Sequence, residues 1–122
     1  MNNASIFYVF FGGGIGSVLR FFIGWMMALK NFNPIFSTLI ANIIASVLIA
    51  IAIAISSNDK NSTSQFFWAT GFCGGLSTFS TFSFQSYQFA QQHQWGWLAF
   101  NIISNIALTF LAVWVGLKLT NS

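Results

Sequence analysis

The sequence predicts an all-α membrane protein with four transmembrane helices, and three observations lead to this fold class. Of its 122 residues, 56% are hydrophobic, 19% aromatic and only 4% charged, whereas about 25% are charged in a typical soluble domain. A spanning helix needs about 20 apolar residues, so residues 1–122 accommodate four helices in a single domain. Residues 31–58 carry no charge, and residues 61–117 carry only the possible charge of His93. The second interval is too long for one span and must fold back.

The first helix is predicted over residues 5–29. It contains one cation, Arg20, and a GxxxG pair, Gly12 and Gly16, which is typical of closely packed helices. Pro34 disfavours helix in the residue before it and closes the segment. The N-terminus has no basic region and no convincing cleavage site, so we expect this helix to be retained rather than removed as a signal peptide.

The second and third helices are predicted on either side of a polar loop at residues 56–64. The second, residues 37–55, is apolar apart from a polar insertion at Asn42. The third, residues 65–92, is expected to break near Gly74–Thr78, because Gly, Ser and Thr are poor interior helix formers. Within a bilayer such a break is tolerated only where it is buried in protein or lines a wet cavity.

The fourth helix is predicted over residues 97–119, which places both termini on one side of the membrane. That side carries Lys60 and Lys118, and the other carries Lys30, so the positive charges scarcely specify an orientation. Two inverted copies could therefore pair about a twofold axis in the membrane plane, as inverted repeats do in transporters. The alternative is one orientation set by other features.

Several function classes are excluded by the shortage of ionisable residues. The single carboxylate, Asp59, and the single histidine, His93, both lie in loops, so we do not expect an enzyme. No span holds an acidic residue for proton-coupled transport. Four scattered basic residues form no nucleic-acid patch. Cys73 is the only cysteine, and no residues show metal-ligand spacing.

Arg20 is the most unusual residue, because a cation within a span is costly and suggests a function. Either its side chain extends to the interface, or it lines a vestibule that attracts anions. Since no buried carboxylate could pair with it, an anionic substrate is indicated.

Polar side chains recur on the second and fourth helices. Asn42 lies in the second, and a stripe on one face of the fourth serves either to pair helices or to line a pathway. The stripe comprises Asn101, Ser104, Asn105 and Thr109.

The segment after the break combines aromatic rings with hydroxyls. Phe79 and Phe82 are three residues apart and share a helix face, and the electropositive edges of their rings can face an anion. Carbonyls freed near Gly74–Ser77 could coordinate a cation. The surrounding hydroxyls are those of Thr78, Ser80, Thr81 and Ser83.

Three stretches, GGGIGSVLR (12–20), TLIAN (38–42) and GFCGGLSTFSTFS (71–83), resemble the signature stretches of the Fluc/CrcB family of bacterial fluoride channels. The resemblance implies a multi-pass protein of the bacterial cytoplasmic (inner) membrane, assembled as an antiparallel dual-topology homodimer. Such a dimer exports fluoride passively through two parallel pathways and protects the cell against fluoride toxicity.

The resemblance also implies roles for individual residues by motif position. One departure is Gln85, where members of the family commonly have glutamate. Phe79 and Phe82 would line the fluoride pathway with Asn42 and Thr81, Arg20 would lie in the vestibule, and the carbonyls of Gly74 and Ser77 would hold a structural Na⁺ at the dimer centre. Apart from the resemblance, we expect the hydroxyls of Ser80 and Ser104 to line the same pathway.

Two other functions share some of these features. A small multidrug exporter also has four short spans and dual topology, but it requires a glutamate within the membrane, which the sequence lacks. A membrane scaffold would use the same polar residues only to pair helices.

Overall fold

The computed structural model describes residues 3–56 and 63–121, which form helices joined by short turns with no strand in these ranges. The predicted all-α fold class is confirmed. Residues 57–62, including Asp59 and Lys60, lie outside the described ranges. The helices are α1 (Asn3–Leu29), α2 (Pro34–Ile55), a π-helical segment (Gln65–Cys73) continued by the short α3 (Gly74–Leu76), α4 (Phe79–Gln91) and α5 (Trp95–Asn121).

A residue in the left-handed conformation lies two positions beyond the end of both α1 and α4: Asn31 (φ 62°) and His93 (φ 58°). In each case the next residue donates its N–H to the carbonyl five positions back, at 3.1 Å and 2.9 Å, which is the Schellman arrangement. The turn after α1 then leads directly into α2, where the Asn33 side chain accepts the N–H of Ile35 at 3.1 Å. Pro34, at the first helical position, has no N–H to satisfy.

Helix α1 packs against the π-helical segment with backbone close to backbone. A Cβ atom at Gly12 would overlap the carbonyl oxygen of Phe67, and one at Gly16 would overlap that of Phe72. On α3, which continues the π-helical segment, a Cβ at Gly75 would overlap the carbonyl oxygen of Gly13 on α1. The GxxxG pair therefore has the close-packing role that its spacing predicts.

The third helix is helical from its start, as predicted, but its first half is π-helical rather than α-helical. In a π-helix each backbone N–H donates to the carbonyl five residues earlier. No residue type is specific to this pattern, so the sequence does not predict it.

The core lies between α2, the π-helical segment and α3, with α1 packed beside it. Meanwhile α2 packs along α5. The central residues of this core are two alanines on α2, which face larger side chains and one cysteine on the opposing segment: Ala41, Ala45, Phe72, Cys73 and Leu76.

Three helices, α1, α2 and α5, are each long and apolar enough to cross a membrane. Their outer faces expose large apolar side chains, such as Phe21 on α1 and Phe110 on α5, which are 74% and 79% exposed. The chain is thus a multi-pass membrane protein. The π-helical segment, α3 and α4 together form a fourth, interrupted helix, and the interruption lies at Ser77 and Thr78.

Candidate functional site

The interruption between α3 and α4 is held open by two hydrogen bonds. The backbone N–H of Thr78 donates to Asn42 Oδ1 at 2.9 Å, and the N–H of Thr81 donates to Thr78 Oγ1 at 3.2 Å. In an unbroken helix these two N–H groups would donate to the carbonyls of Gly74 and Ser77. Both carbonyls therefore lose their helical donors, and Thr78 serves as the N-cap of α4.

A chain of side-chain amides continues from this point into the bundle. Asn42 Nδ2 donates to Asn105 Oδ1 at 3.0 Å, and Asn105 Nδ2 donates to Asn101 Oδ1 at 3.0 Å. Asn101 Nδ2 then donates to Ser86 Oγ at 2.9 Å. Asn101 and Asn105 are 1% and 5% exposed, so these amides link α2, α4 and α5 in the interior. Each amide nitrogen carries two N–H groups, and that of Asn42 uses one of them here.

A cavity of about 330 Å³, called the central cavity below, lies between the interruption, α2 and α5. Two aromatic rings border it: Phe79 and Phe82 have ring centroids 5.6 Å apart and planes inclined at 50°. Phe79 is 79% exposed, so one side of the cavity is open in a single chain. The lining residues are Asn42, Ser46, Ser77, Thr78, Phe79, Phe82, Asn105, Ile106 and Thr109.

The sequence pattern leaves open whether Asn105 and Thr109 pair helices or line a pathway, and it does not single out Ser46, yet all three line the central cavity. Helical spacing is the signal that could have identified Ser46. Ser46 lies one turn beyond Asn42, and Thr109 lies one turn beyond Asn105, so each pair shares a helix face.

A second cavity, of about 380 Å³ and called the vestibule below, contains Arg20. Arg20 Nε donates to the carbonyl of Gly75 at 3.1 Å, which holds the half-buried guanidinium against the residues just before the interruption. The described residues include no carboxylate, because Asp59 lies outside them. Of the two interpretations of Arg20, this placement favours the vestibule. The lining residues are Arg20, Phe21, Gly24, Trp25, Pro34, Ser37, Thr38, Thr78, Thr81 and Gln85.

Gln85, the position that departs from the resembled family, borders the vestibule. Its Oε1 atom is buried and has no hydrogen-bond partner among the described residues. Buried polar atoms are normally paired with protein or water. The unpaired Oε1 of Gln85 therefore indicates a group that interacts with water or ions inside the vestibule.

The predicted pathway hydroxyls lie in different places. Thr81 borders the vestibule and accepts a hydrogen bond from Thr78 Oγ1 at 3.1 Å. Ser80 Oγ lies 3.2 Å from the same Thr78 oxygen. Ser104 borders neither the central cavity nor the vestibule, and its hydroxyl donates to the carbonyl of Asn101 at 3.5 Å.

Comparison with known proteins finds similarity over nearly the whole chain. The family model described as CrcB-like protein, Camphor Resistance (CrcB), matches residues 7–117. A protein of Pyrococcus horikoshii named fluoride-specific ion channel FluC is 38% identical over 119 residues, which cover 95% of each chain. Proteins with the same name from Pyrococcus furiosus and Escherichia fergusonii are 32% and 38% identical, covering 98% and 88% of this chain and 98% and 89% of their own. The matched range includes the interruption and both cavities.

Proposed function

The chain belongs to the CrcB-like protein family, and on this premise we propose that it is a fluoride-specific channel that lets fluoride leave the cell passively. Three relatives named fluoride-specific ion channel FluC match almost its full length. The observation that carries the proposal is the central cavity, where two phenylalanine rings lie beside neutral hydrogen-bond donors. A passive channel of this kind protects the cell when fluoride accumulates inside.

The chemistry of the central cavity suits a small, strongly hydrated anion. Such an ion passes only if donors replace its water at each step without binding it too tightly. The second N–H of Asn42, the hydroxyl of Ser46, and the ring edges of Phe79 and Phe82 are neutral donors of this kind. None carries a full charge that would hold the ion in place.

Arg20 complements these donors from a distance. A positive charge in a low-dielectric cleft raises the local concentration of anions. Because Arg20 lines the vestibule and not the central cavity, it attracts anions toward the narrow part of the path without occupying it.

We also propose that the working unit is an antiparallel homodimer. The central cavity is open on the side of Phe79, and polar groups facing hydrocarbon are costly. A second copy would cover that side. The described cations Lys30 and Lys118 lie at opposite ends of the bundle, so the charge bias permits an inverted partner. Twofold symmetry then generates two pathways.

The carbonyls of Gly74 and Ser77 are suitable for the structural Na⁺ that the resemblance implies. Their helical donors are engaged elsewhere, and carbonyls of unwound helices coordinate Na⁺ in membrane transporters. Gly74 is exposed, and a Cβ atom there would meet nothing within 4 Å in the same chain, which leaves room for a partner's carbonyls. A bound Na⁺ would neutralise these carbonyl dipoles and stabilise the interruption.

Fluoride efflux from proteoliposomes tests the proposal. Purified protein is reconstituted in liposomes loaded with potassium fluoride and diluted into fluoride-free buffer, with a potassium ionophore to dissipate the membrane potential. We expect fluoride release that greatly exceeds chloride release from matched liposomes. Absence of fluoride release above protein-free liposomes would overturn the proposed function.

A further inference from the structure

A third cavity, of about 140 Å³, adjoins the vestibule at the end of the bundle where α4 ends and α2 begins. Carboxamides dominate its polar lining. Gln85 and Pro34 border both this cavity and the vestibule, and Thr78 borders both the vestibule and the central cavity. The three cavities therefore form a series, with Gln85 at the first junction and Thr78 at the second. The third cavity is lined by Asn33, Pro34, Ile35, Gln85, Gln88, Phe89 and Gln92.

We propose that the carboxamides of Asn33, Gln85, Gln88 and Gln92 form an access route, the amide passage, through which the anion moves between the aqueous end of the bundle and the vestibule. The inference rests on the proposed function and takes partly hydrated fluoride as the ligand. It assigns a transport role to a cluster that lies outside the central cavity and includes neither of the two phenylalanines.

The arrangement of glutamines along α4 supports the passage. Gln85, Gln88 and Gln92 are spaced at i, i+3 and i+7, which places them along one helix face. Gln91, in the same final turn, does not line the third cavity; its Nε2 donates to Tyr87 Oη at 3.2 Å on the exposed side. Gln85, Gln88 and Gln92 therefore lie along the cavity, whereas Gln91 lies away from it.

Carboxamides suit the passage of an anion better than its tight binding. Each group offers two N–H donors for an anion and a carbonyl that accepts from water, so a partly hydrated ion finds partners for both its charge and its remaining water. Among the described side chains that line the three cavities, Arg20 alone is charged. A route of neutral donors that ends near one cation guides an anion inward without a deep binding site.

Gln85 is the junction residue, and its hydrogen bonding agrees with this role. Its buried Oε1 accepts no hydrogen bond from the described residues, so no bond to that oxygen fixes the amide in one orientation. Oxygen and nitrogen of a glutamine amide differ by a rotation of 180°. Rotation would present N–H groups where the oxygen now lies, and Gln85 could then donate to an ion that passes between the two cavities.

Single cysteines at matched positions test the amide passage. Gln88→Cys and Gln92→Cys place a thiol in the third cavity, and Gln91→Cys places one on the same helix end outside it. Each purified protein is treated in detergent with a bulky, charged thiosulfonate reagent, checked for complete labelling by mass spectrometry, and reconstituted beside its unlabelled form. The native Cys73 is 2% exposed, and treated wild-type protein controls for its labelling.

We expect all three unlabelled variants to release fluoride, and labelling at position 88 or 92 to reduce the rate at least about tenfold, corresponding to a modest added barrier. Labelled Gln91→Cys should retain its unlabelled rate. If labelled Gln88→Cys and Gln92→Cys release fluoride as fast as labelled Gln91→Cys, the amide passage is wrong and the proposed function stands. If unlabelled wild-type protein releases none, the proposed function itself fails.

Discussion

The backbone N–H of Thr78 donates to the side-chain oxygen of Asn42, 36 residues earlier in the chain, at 2.9 Å. This bond joins the interruption in the third helix to α2 and frees the Gly74 carbonyl from its helical partner. The same asparagine donates to Asn105 on α5. One side chain therefore supports the broken helix, links three elements and still holds an N–H with no hydrogen-bond partner among the described residues.

Replacement of Asn42 by alanine should reduce both stability and transport. The N–H of Thr78 and the Oδ1 of Asn105 would each lose a partner, and a buried unpaired group costs about 1–3 kcal/mol. We expect a lower midpoint of thermal unfolding in detergent and little fluoride efflux. Ser37→Ala is a matched control for stability, since its hydroxyl donates only within its own helix, to Pro34 O at 2.8 Å. Equal stability of the two variants would show that the Asn42 bonds contribute nothing.

Phe79→Ile and Phe82→Ile should each suppress fluoride efflux while the protein remains folded. Isoleucine preserves apolar volume but has no electropositive ring edge, so the anion loses a favourable contact in the central cavity. A loss of about 1.4 kcal/mol at the barrier corresponds to a tenfold slower rate, and the efflux assay resolves such a change. Gel filtration checks that the assembly is unchanged.

The matched control for these variants is Phe84→Ile. Phe84 lies on the same helix, is 63% exposed and does not line the central cavity, so efflux should stay near that of the wild type. Undiminished efflux in both Phe79→Ile and Phe82→Ile would remove the two rings from the mechanism.

Alanine substitutions along α1 should distinguish packing glycines from an unconstrained one. A Cβ atom at Gly12 or Gly16 overlaps the backbone of the π-helical segment, whereas one at Gly14 meets nothing within 4 Å. Overpacking against backbone typically costs about 1–3 kcal/mol, while Gly→Ala in an open helix position gains up to about 1 kcal/mol. Unfolding midpoints in detergent should therefore fall for Gly12→Ala and Gly16→Ala and hold or rise for Gly14→Ala. The same midpoint for all three variants would contradict the packing.

The all-helical fold and the interruption were predictable because both depend on local composition. Long apolar runs mark α1, α2 and α5, and the Gly, Ser and Thr cluster marks the interruption at Ser77 and Thr78. The partner of Thr78 was not predictable, since it depends on how α2 aligns with a residue 36 positions away. The pathway prediction on α5 named Ser104, whereas Asn105 lines the central cavity. Adjacent residues differ by about 100° around a helix, and only the packed structure shows which of them faces inward.

Gln85→Glu should make fluoride efflux depend on pH. The vestibule holds Arg20 and, among its described lining residues, no acid, so Arg20 is the only charged residue in this lining. A carboxylate at position 85 would be ionised at neutral pH and would offset the attraction of Arg20 for anions. Since an ordinary glutamate has a pKa of about 4.3, protonation on acidification removes this negative charge. We therefore expect the variant to be slower than wild type at pH 7 and to approach it as the pH falls toward about 4.5.

The same substitution at Gln91 provides the control, because Gln91 lies at the exposed end of α4 and outside the vestibule. Efflux is measured for the three proteins over the same pH series, with protein-free liposomes subtracted at each pH to remove leakage of hydrogen fluoride. Gln91→Glu should follow the wild type throughout, because its added charge lies in water where screening is strong. A Gln85→Glu rate that changes with pH no more than that of Gln91→Glu would show that position 85 does not influence the electrostatics of the anion path.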